Sequence, residues 1–384
     1  MINLKSIKDR NIFLITANFF WVFFGFGAAQ QYLVPLLTLQ GKQQFSYTIL
    51  AVLYISFFVF ELIGPFIISR LGLKKSLIFG TATYISFIIS LLSNHTGIII
   101  FSSFLTGAGA GLYWISSGQL IADNSSPKNL GRNFGLQNFG FLLGNLLGIT
   151  LGGIVLTILP FQHLYFLFMI SAVLGLPCAL LIKTDKTTLP TAAFSLSHLT
   201  NSKFLFLFPI IFAATYILVQ TFTTMNIVVL NLFGLTTVGI LATIFRISTT
   251  ISGFYIGKLS DSFNKVYLLI GIGISGLIGS LLFLFIPFLW ALILSMGLLG
   301  IFVSSTYPIC LSLLKSHVSE NEYLTSIGVF HAYNTSPVIV SLFLSSFFSP
   351  RASFIPGVLM IIVGLPLLYQ FAKKYSLSSS SVAK

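Results

Sequence analysis

Residues 65–75 read PFIISRLGLKK, and residues 257–265, half a chain further on, read GKLSDSFNK. Each segment ends a long apolar run with a short, basic turn. Ser69 of the first segment and Asp261 of the second are separated by half of the 384 residues. A repeat at this spacing predicts a chain made of two similar halves.

The composition around these turns is typical of an integral membrane protein. Hydrophobic residues make up 56% of the chain and charged residues only 7%, whereas soluble domains carry about a quarter charged residues. This excludes an ordinary cytosolic enzyme and a disordered regulator. The net charge of +13 does not indicate nucleic-acid binding, because the basic residues are spread thinly between apolar runs. We expect no nucleic-acid partner and no bound cofactor.

Apolar runs bounded by charges, glycines and prolines predict twelve membrane-spanning helices. A bilayer core of about 30 Å takes about 20 helical residues per crossing, so twelve crossings use most of the chain. Barrel strands are disfavoured, because they alternate in hydrophobicity over about ten residues. The predicted spans are residues 12–39, 47–69, 76–93, 98–122, 133–159, 164–182, 204–231, 236–257, 266–286, 288–314, 324–347 and 354–372.

The longest polar interval divides the spans into two equal sets. Residues 183–203 read KTDKTTLPTAAFSLSHLTNSK and lie between spans six and seven. We therefore predict an all-α membrane protein with an N-terminal six-helix bundle over 1–182, a cytoplasmic linker over 183–203 and a C-terminal six-helix bundle over 204–384.

The distribution of basic residues predicts the orientation of these spans. With the N-terminus in the cytoplasm, seventeen of the 20 basic residues fall in cytoplasmic segments and only Lys42 and Arg351 in external loops. This asymmetry is the one that the positive-inside rule requires. We expect a monomer in a plasma or inner membrane, with both termini in the cytoplasm.

The two turns resemble the signature loop of the major facilitator superfamily, Gly-x-Leu-x-Asp-Arg-x-Gly-Arg-Lys. The second turn keeps the Gly, Leu and Asp, whereas the first keeps the Arg, Gly and Lys but has Ser69 in place of Asp. Residues 122–132, ADNSSPKNLGR, are also similar to that superfamily's pattern. The resemblance implies two helical bundles that rock about a midplane site for a small-molecule substrate.

A narrower resemblance involves spans four and five. Residues 109–119 read GAGLYWISSGQ and residues 133–138 read NFGLQN, followed by the pair Gly144-Asn145. These are similar to the Unc-ninety-three-like branch, which includes regulators of channels and of receptor trafficking. Two functions stay open: a secondary transporter working by alternating access, with proton coupling as an option, and a non-transporting accessory protein. A membrane-embedded enzyme is disfavoured, because no catalytic set converges.

Arg246 and Glu61 are the charged residues that lie well inside predicted spans. A charge at the bilayer centre costs about 2.5–3.5 kcal/mol on insertion scales, so such residues usually serve a substrate or proton pathway. We predict that Arg246 binds an anionic or strongly polar substrate group and that Glu61 couples transport to protons. The alternative is that each pairs with a neighbour and fixes the packing of the spans.

Uncharged polar and aromatic residues within the spans are further candidates for lining the substrate path. The alternative for each is an interhelical hydrogen bond, worth about 0.6 kcal/mol. The superfamily resemblance implies that spans one, four, seven and ten line the cavity, with help from two, five, eight and eleven. The candidates are Asn18, Gln30, Trp114, Gln137, Asn138, Gln220, Tyr307, His331 and Asn334.

Charges at the cytoplasmic ends of the spans predict a gate. Opposite charges from the two halves can pair with one another or with helix dipoles, and Ser69 weakens the first-half contribution. The alternative is that the basic residues only set the topology. The gate candidates are Arg70, Lys74, Asp123 and Arg132 in the first half, and Asp261 and Lys265, with Glu320 and Glu322, in the second.

Glycines recur at every fourth position of span five, at residues 140, 144, 148 and 152. This stripe predicts close approach of another helix. Asn145, which follows Gly144, breaks the Gly-Pro pattern of the superfamily's antiporters and argues against drug/proton antiport.

Overall fold

A computed structural model provides the structure of the protein and describes residues 6–39, 41–93, 95–156, 158–159, 161–184, 205–345 and 347–381. All regular structure in these ranges is helical, which confirms the predicted all-α class. Nearly all of the predicted linker, 183–203, lies outside the described residues.

Thirteen α-helices occur in the described part of the chain. Their bounds are α1 Ile7–Leu39, α2 Gln43–Leu71, α3 Leu73–Leu92, α4 Thr96–Asp123, α5 Leu130–Leu156, α6 Phe161–Leu181, α7 Phe208–Phe222, α8 Thr224–Phe233, α9 Leu235–Leu259, α10 Lys265–Phe285, α11 Leu289–His317, α12 Glu320–Leu344 and α13 Ile355–Ser381, the last preceded by a 3-10 turn at Ala352–Phe354.

Eleven spans of the described chain are long and apolar enough to cross a membrane, and α7 with α8 makes a twelfth. These helices form because hydrocarbon offers the backbone no hydrogen-bonding partner, so each span must satisfy its own N–H and C=O groups. One prediction needs correction. Span seven, predicted as continuous over 204–231, is broken at Thr223, where α7 and α8 meet at a bend of 40°.

The chain divides into two compact units. The described part of the first lies in Met1–Ser126, Leu136–Leu196 and Val318–Ala332, and that of the second in Pro127–Gly135, Ser197–His317 and Tyr333–Lys384. The start of α5 thus belongs to the second unit, and the start of α12 to the first. The domain boundaries proposed from the sequence stay a prediction.

Within the first unit, the glycine stripe of α5 packs against the backbone of α1. A Cβ on Gly140, Gly144 or Gly148 would meet a main-chain carbonyl oxygen of α1, namely that of Thr16, Phe20 or Phe24 respectively. The two sets share a four-residue spacing, so the helices touch along several turns. The predicted close approach is confirmed. In the same unit α1 also packs along α6, and both α2 and α3 pack along α4.

Within the second unit, α11 packs along α9 and α10, and α13 packs along α7 and α10. The contact between α9 and α11 is partly polar. Ser248 donates to the carbonyl of Gly297 at 2.7 Å, and the hydroxyls of Ser252 and Ser304 lie 2.8 Å apart. These bonds hold α9 in a fixed rotation, which determines where its charged residue points.

Candidate functional site

Arg246 lies near the middle of α9, away from the face of that helix that is exposed and apolar. The exposed face carries Ile240, Ile247, Ile251 and Tyr255, which are 47 to 60% exposed. Arg246 itself is half-buried. The guanidinium group therefore starts from the protein side of the helix rather than from the side expected to meet lipid.

The face of α9 that carries Arg246 also carries two glycines closer to the end of the helix. Gly253 and Gly257 follow Arg246 by seven and eleven residues and so share its face. A Cβ on Gly257 would lie 2.9 Å from the Cα of Gly135 in α5, and a Cβ on Gly135 would lie 3.2 Å from the carbonyl oxygen of Gly253. Arg246 stands about 16 Å along the axis from the Gly257 contact.

The guanidinium of Arg246 stacks on an aromatic ring at the break in span seven. Its central carbon lies 4.2 Å from the ring centroid of Phe222, the last residue of α7. Phe222 in turn packs edge-on against Phe245, with centroids 5.4 Å apart. Among the described residues, none forms an ion pair or a hydrogen bond with the Arg246 side chain. A permanent charge at mid-span thus has a π partner but no counter-ion there.

A polar network surrounds the break and explains why it is stable. Gln220 donates to the hydroxyl of Ser341 in α12 at 3.0 Å and to that of Ser345, just after the end of α12, at 2.9 Å. Thr224 donates to the amide oxygen of Gln220 at 2.7 Å. At the bend the side chain of Asn226 donates to the carbonyl of Phe222 at 3.1 Å. Side-chain hydrogen bonds thus join the residues on both sides of the bend to one another and to α12.

Glu61 is fully buried in the first unit, where α2 meets α4 and α12. Pro65, four residues on, has no N–H, so the carbonyl of Glu61 loses its helical donor. Gly328 of α12 packs onto that carbonyl: a Cβ there would lie 2.6 Å from it. The carboxyl group also acts electrostatically on the hydroxyl of Tyr84 in α3, which is hydrogen-bonded to Trp114.

The first unit brings three predicted substrate residues together, namely Trp114, His331 and Gln137. The His331 ring lies 5.8 Å and the Phe141 ring 5.4 Å from the indole of Trp114, between centroids. Gln137 donates to Ser117 at 2.9 Å, and Ser117 donates to the carbonyl of Trp114 at 2.9 Å. The amide oxygen of Gln137 is buried, with no hydrogen-bond partner among the described residues.

The remaining predicted substrate residues have varied surroundings. Asn18 is fully buried: it accepts from Tyr113 at 2.7 Å and donates to the carbonyl of Gly175 at 2.8 Å. These contacts are what interhelical packing requires. Gln30 donates to the hydroxyl of Tyr54 at 2.6 Å, and Asn334 accepts from the hydroxyl of Thr215 at 2.6 Å. The side chain of Asn138 is 6% exposed, and that of Tyr307 is half-buried in α11.

The predicted gate residue Asp261 binds the N-terminus of α5. Its carboxylate oxygens accept from the backbone N–H groups of Gly131, at 2.7 Å, and Arg132, at 2.9 Å. The positive end of the helix dipole favours a carboxylate at this place. Burial raises the pKa of Asp261 above its ordinary value, although both amide bonds and the charges of Lys265 and Arg132 act to lower it.

The other gate candidates make local contacts. The Arg132 guanidinium donates to the neighbouring Asn133 at 3.2 Å. Asp123 is exposed and accepts from Gln119 at 2.8 Å. Arg70, also exposed, stacks on Phe66 at 4.0 Å, and Lys74 is half-buried at the start of α3. Ser69, which replaces the usual Asp, donates to the carbonyl of Phe66 in its own helix.

Two features of the site were absent from the sequence-based prediction. Phe222 was not a candidate, because a single phenylalanine among 41 carries no signal. Gly131 and Gly135, which let the start of α5 approach α9, could have been found from their four-residue spacing. Gly253 and Gly257 of α9 repeat that spacing.

Comparison with known proteins agrees with the fold and with the motifs. The profile of the Major Facilitator Superfamily matches residues 12–238 and 228–381. The UNC93-like protein MFSD11 of Xenopus laevis is 29% identical over 149 residues, which cover 37% of this chain and 34% of the relative. The chain thus matches about a third of that relative's length. The Xenopus tropicalis protein of the same name is 28% identical over 149 residues.

Solved structures of transporters share the fold over most of their length. The human organic anion transporter MFSD10 (TETRAN) superposes with a TM-score of 0.79 at 14% identity, over 94% of this chain and 99% of that one. The fucose:proton symporter FucP of E. coli gives 0.71 at 18% identity, over 93% and 97%. At such identities the likeness shows the fold alone.

The superfamily resemblance stated from the sequence is therefore confirmed, and the MFSD11 matches support the narrower one. Because the profile match extends from the first span to the last, we conclude that the chain belongs to the major facilitator superfamily and is an integral, multi-pass membrane protein.

Proposed function

We propose that the protein is a secondary active transporter that moves a small anionic solute by alternating access. Arg246 binds the negative group of the solute. The observation that carries this proposal is the state of the guanidinium: it is half-buried at mid-span, it is stacked on Phe222, and none of the described residues provides a counter-ion. A charge kept there at a cost of about 2.5–3.5 kcal/mol is explained by a ligand that neutralises it.

Glu61 is the residue proposed to carry the coupled proton. Its carboxyl group is fully buried between three helices, one of which, α12, contributes residues to both compact units. Carboxyl groups placed within spans commonly serve proton relays in transporters. The hydroxyl of Tyr84, on which Glu61 acts electrostatically and which is hydrogen-bonded to Trp114, extends the polar path toward the aromatic cluster.

The gate proposed for the cytoplasmic side centres on Asp261. In the present arrangement its carboxylate holds the start of α5 through two backbone N–H groups. Opening would break these bonds together with the glycine contact beside them. The positive-inside count supports the cytoplasmic placement of this turn and of both termini, in a plasma or inner membrane. A monomer suffices for the mechanism.

Uptake by purified protein in proteoliposomes tests the proposal. We expect uptake of organic anions to depend on an inward proton gradient in the wild type. Arg246→Gln should abolish uptake, and Glu61→Gln should abolish the gradient dependence while retaining exchange. Arg351→Gln, which changes a half-buried arginine outside the spans, is the matched control and should transport normally.

The same experiment separates transport from the accessory role that the narrower resemblance implies. An accessory protein would show no uptake of any solute in the wild type, although it folds and reconstitutes. Wild-type uptake in Arg246→Gln would refute the site assignment and leave transport intact.

A further inference from the structure

We propose that the Arg246 site selects singly charged organic acids, that is, a carboxylate carried on an apolar or aromatic body, over polyvalent anions such as dicarboxylates and phosphonates. This inference rests on the proposed function, because it names the substrate class of the same site.

The first argument is the number of charges that the spans offer. Basic residues in the described helices cluster at the helix ends, and Arg246 is the one that lies at mid-span. The acidic residue well inside the spans, Glu61, supplies no positive charge in either protonation state. One guanidinium neutralises one negative charge. A second charge on the ligand would be removed from water with no partner, which opposes binding.

The second argument is the polar surroundings of the guanidinium. Thr249 and Thr250 are the hydroxyl-bearing residues that follow Arg246 within one turn. Both are buried, and both donate to the carbonyl of Arg246, at 2.8 Å. Their protons are committed to the helix, so they add little to the solvation of further anionic oxygens. Arg246 then provides the main donors for the ligand, through its in-plane N–H groups.

The third argument is the geometry of the stack. The ring of Phe222 lies against the guanidinium, with its centroid 4.2 Å from the central carbon, and the guanidinium N–H groups make no hydrogen bond to the described residues. A planar fork held in this way matches the two oxygens of a carboxylate. A tetrahedral phosphonate would present further charged oxygen beyond the fork.

The fourth argument concerns the ligand's body. Phe222 is half-buried, and the fully buried Phe245 holds its ring from behind. The surface next to the guanidinium is therefore apolar and aromatic. It favours a ligand whose carboxylate is attached to an apolar group, since that group can cover the ring and exclude water from the ion pair.

Thermal stabilisation of the purified protein by a matched ligand series tests the inference, because a ligand that binds the folded state raises the unfolding temperature. The series comprises acetate, hexanoate, phenylacetate, phenylacetamide, 1,4-phenylenediacetate and benzylphosphonate at a pH where both of the last two are dianions. We expect phenylacetate and hexanoate to bind at least about tenfold more tightly than the amide, the dicarboxylate and the phosphonate.

Variants show which group is responsible. Arg246→Lys should weaken phenylacetate binding at least about tenfold, because a lysine cannot form the bidentate pair. Phe222→Leu should weaken phenylacetate several-fold more than acetate. Phe101→Leu, which changes an exposed ring of the first unit, is the control and should leave both unchanged.

The outcomes separate this inference from the proposed function. Dianions that bind as tightly as phenylacetate, a Phe222→Leu variant with unchanged selectivity, or no stabilisation by any acid would overturn it. Arg246-dependent binding of monocarboxylates without uptake in proteoliposomes would refute transport and keep the selectivity. Uptake of polyvalent or neutral solutes instead would keep transport and refute the selectivity.

Discussion

Asp261 gives the clearest residue-scale link between charge and conformation. Its carboxylate lies at the N-terminus of α5, where two backbone N–H groups donate to it. Burial nevertheless raises its pKa above the ordinary value for Asp, so desolvation outweighs the amide bonds and the nearby cations. The turn that carries the superfamily motif therefore holds a carboxyl group that protonates more easily than a solvated one.

The pH dependence of stability follows from this shift. Because the pKa of Asp261 is higher in the folded than in the unfolded chain, its contribution to the free energy of unfolding is largest below the unfolded pKa and falls as the pH rises through the folded pKa. We predict that the wild type gains thermal stability relative to Asp261→Asn as the pH is lowered from 7 to 4, by at most a few degrees. Thermal unfolding in detergent measures the difference.

Asp123→Asn is the matched control for that experiment. Asp123 is exposed and accepts a bond from a side chain rather than from a helix N-terminus. Its substitution should not produce the same pH dependence. A constant gap between the wild type and Asp261→Asn, or one that widens in the opposite direction, would contradict the role of burial.

At the residue scale the sequence predicted which residues belong to the candidate site better than it predicted the groups that those residues contact. Arg246 and Glu61 stood out because charges within apolar runs are costly. The sequence did not predict the partner of Asp261. It left open whether the carboxylate pairs with an opposite charge or with a helix dipole, and in the structure the carboxylate accepts from two backbone N–H groups. The ring beneath Arg246 depends on where α7 ends, which sequence could not predict.

At the scale of elements, the glycine stripe of α5 makes a sharp prediction. A methyl group on Gly144 would meet the carbonyl oxygen of Phe20, and a backbone atom cannot move aside as a flexible side chain can. We predict that Gly144→Ala costs about 1–3 kcal/mol, the range for an overpacked contact. Thermal unfolding of the purified protein measures the loss.

Gly297→Ala is the control for this substitution. Gly297 also lies within a helix, but a Cβ there meets no atom within 4 Å. Alanine is the better helix former, so this variant should be neutral or more stable by up to about 1 kcal/mol. Equal losses at both positions would mean that the stripe does not mark a close helix contact.

The break in span seven makes a second element-scale prediction. Gln220 donates to Ser341 and Ser345 and accepts from Thr224. At about 0.6 kcal/mol per interhelical bond in a bilayer, Gln220→Met should destabilise the protein by roughly 2 kcal/mol. Gln30→Met, which removes one bond to Tyr54, should cost about a third as much. A smaller loss for Gln220→Met than for Gln30→Met would contradict the network.

The spans themselves were predictable, and the break was not. Long apolar runs must form helices in hydrocarbon, so the sequence located the eleven candidate spans and the bent helix pair to within several residues. The break at Thr223 has no proline or glycine beside it. It depends on hydrogen bonds to α12, more than a hundred residues away, and such contacts leave no local signal.

At the scale of the whole molecule, the basic residues predict which side of every span faces the cytoplasm. Lys42 lies in the turn between α1 and α2, and Asn264 in the turn between α9 and α10. With both termini in the cytoplasm, Lys42 is outside and Asn264 inside. The two native cysteines are free, and Cys310 is buried, so a cysteine-free background is accessible through Cys178→Ser and Cys310→Ala.

We predict that a membrane-impermeant thiol reagent labels Lys42→Cys in intact cells and labels Asn264→Cys only after permeabilisation. Both positions are exposed in the structure, so access should differ by membrane side rather than by burial. Labelling of Asn264→Cys in intact cells would invert the orientation and place Asp261 at an external gate. If a reagent in intact cells labelled both cysteine variants, or neither of them, the predicted topology would be contradicted. That topology has an even number of spans between two cytoplasmic termini, and the distribution of basic residues assigns all of its loops to one side or the other at once.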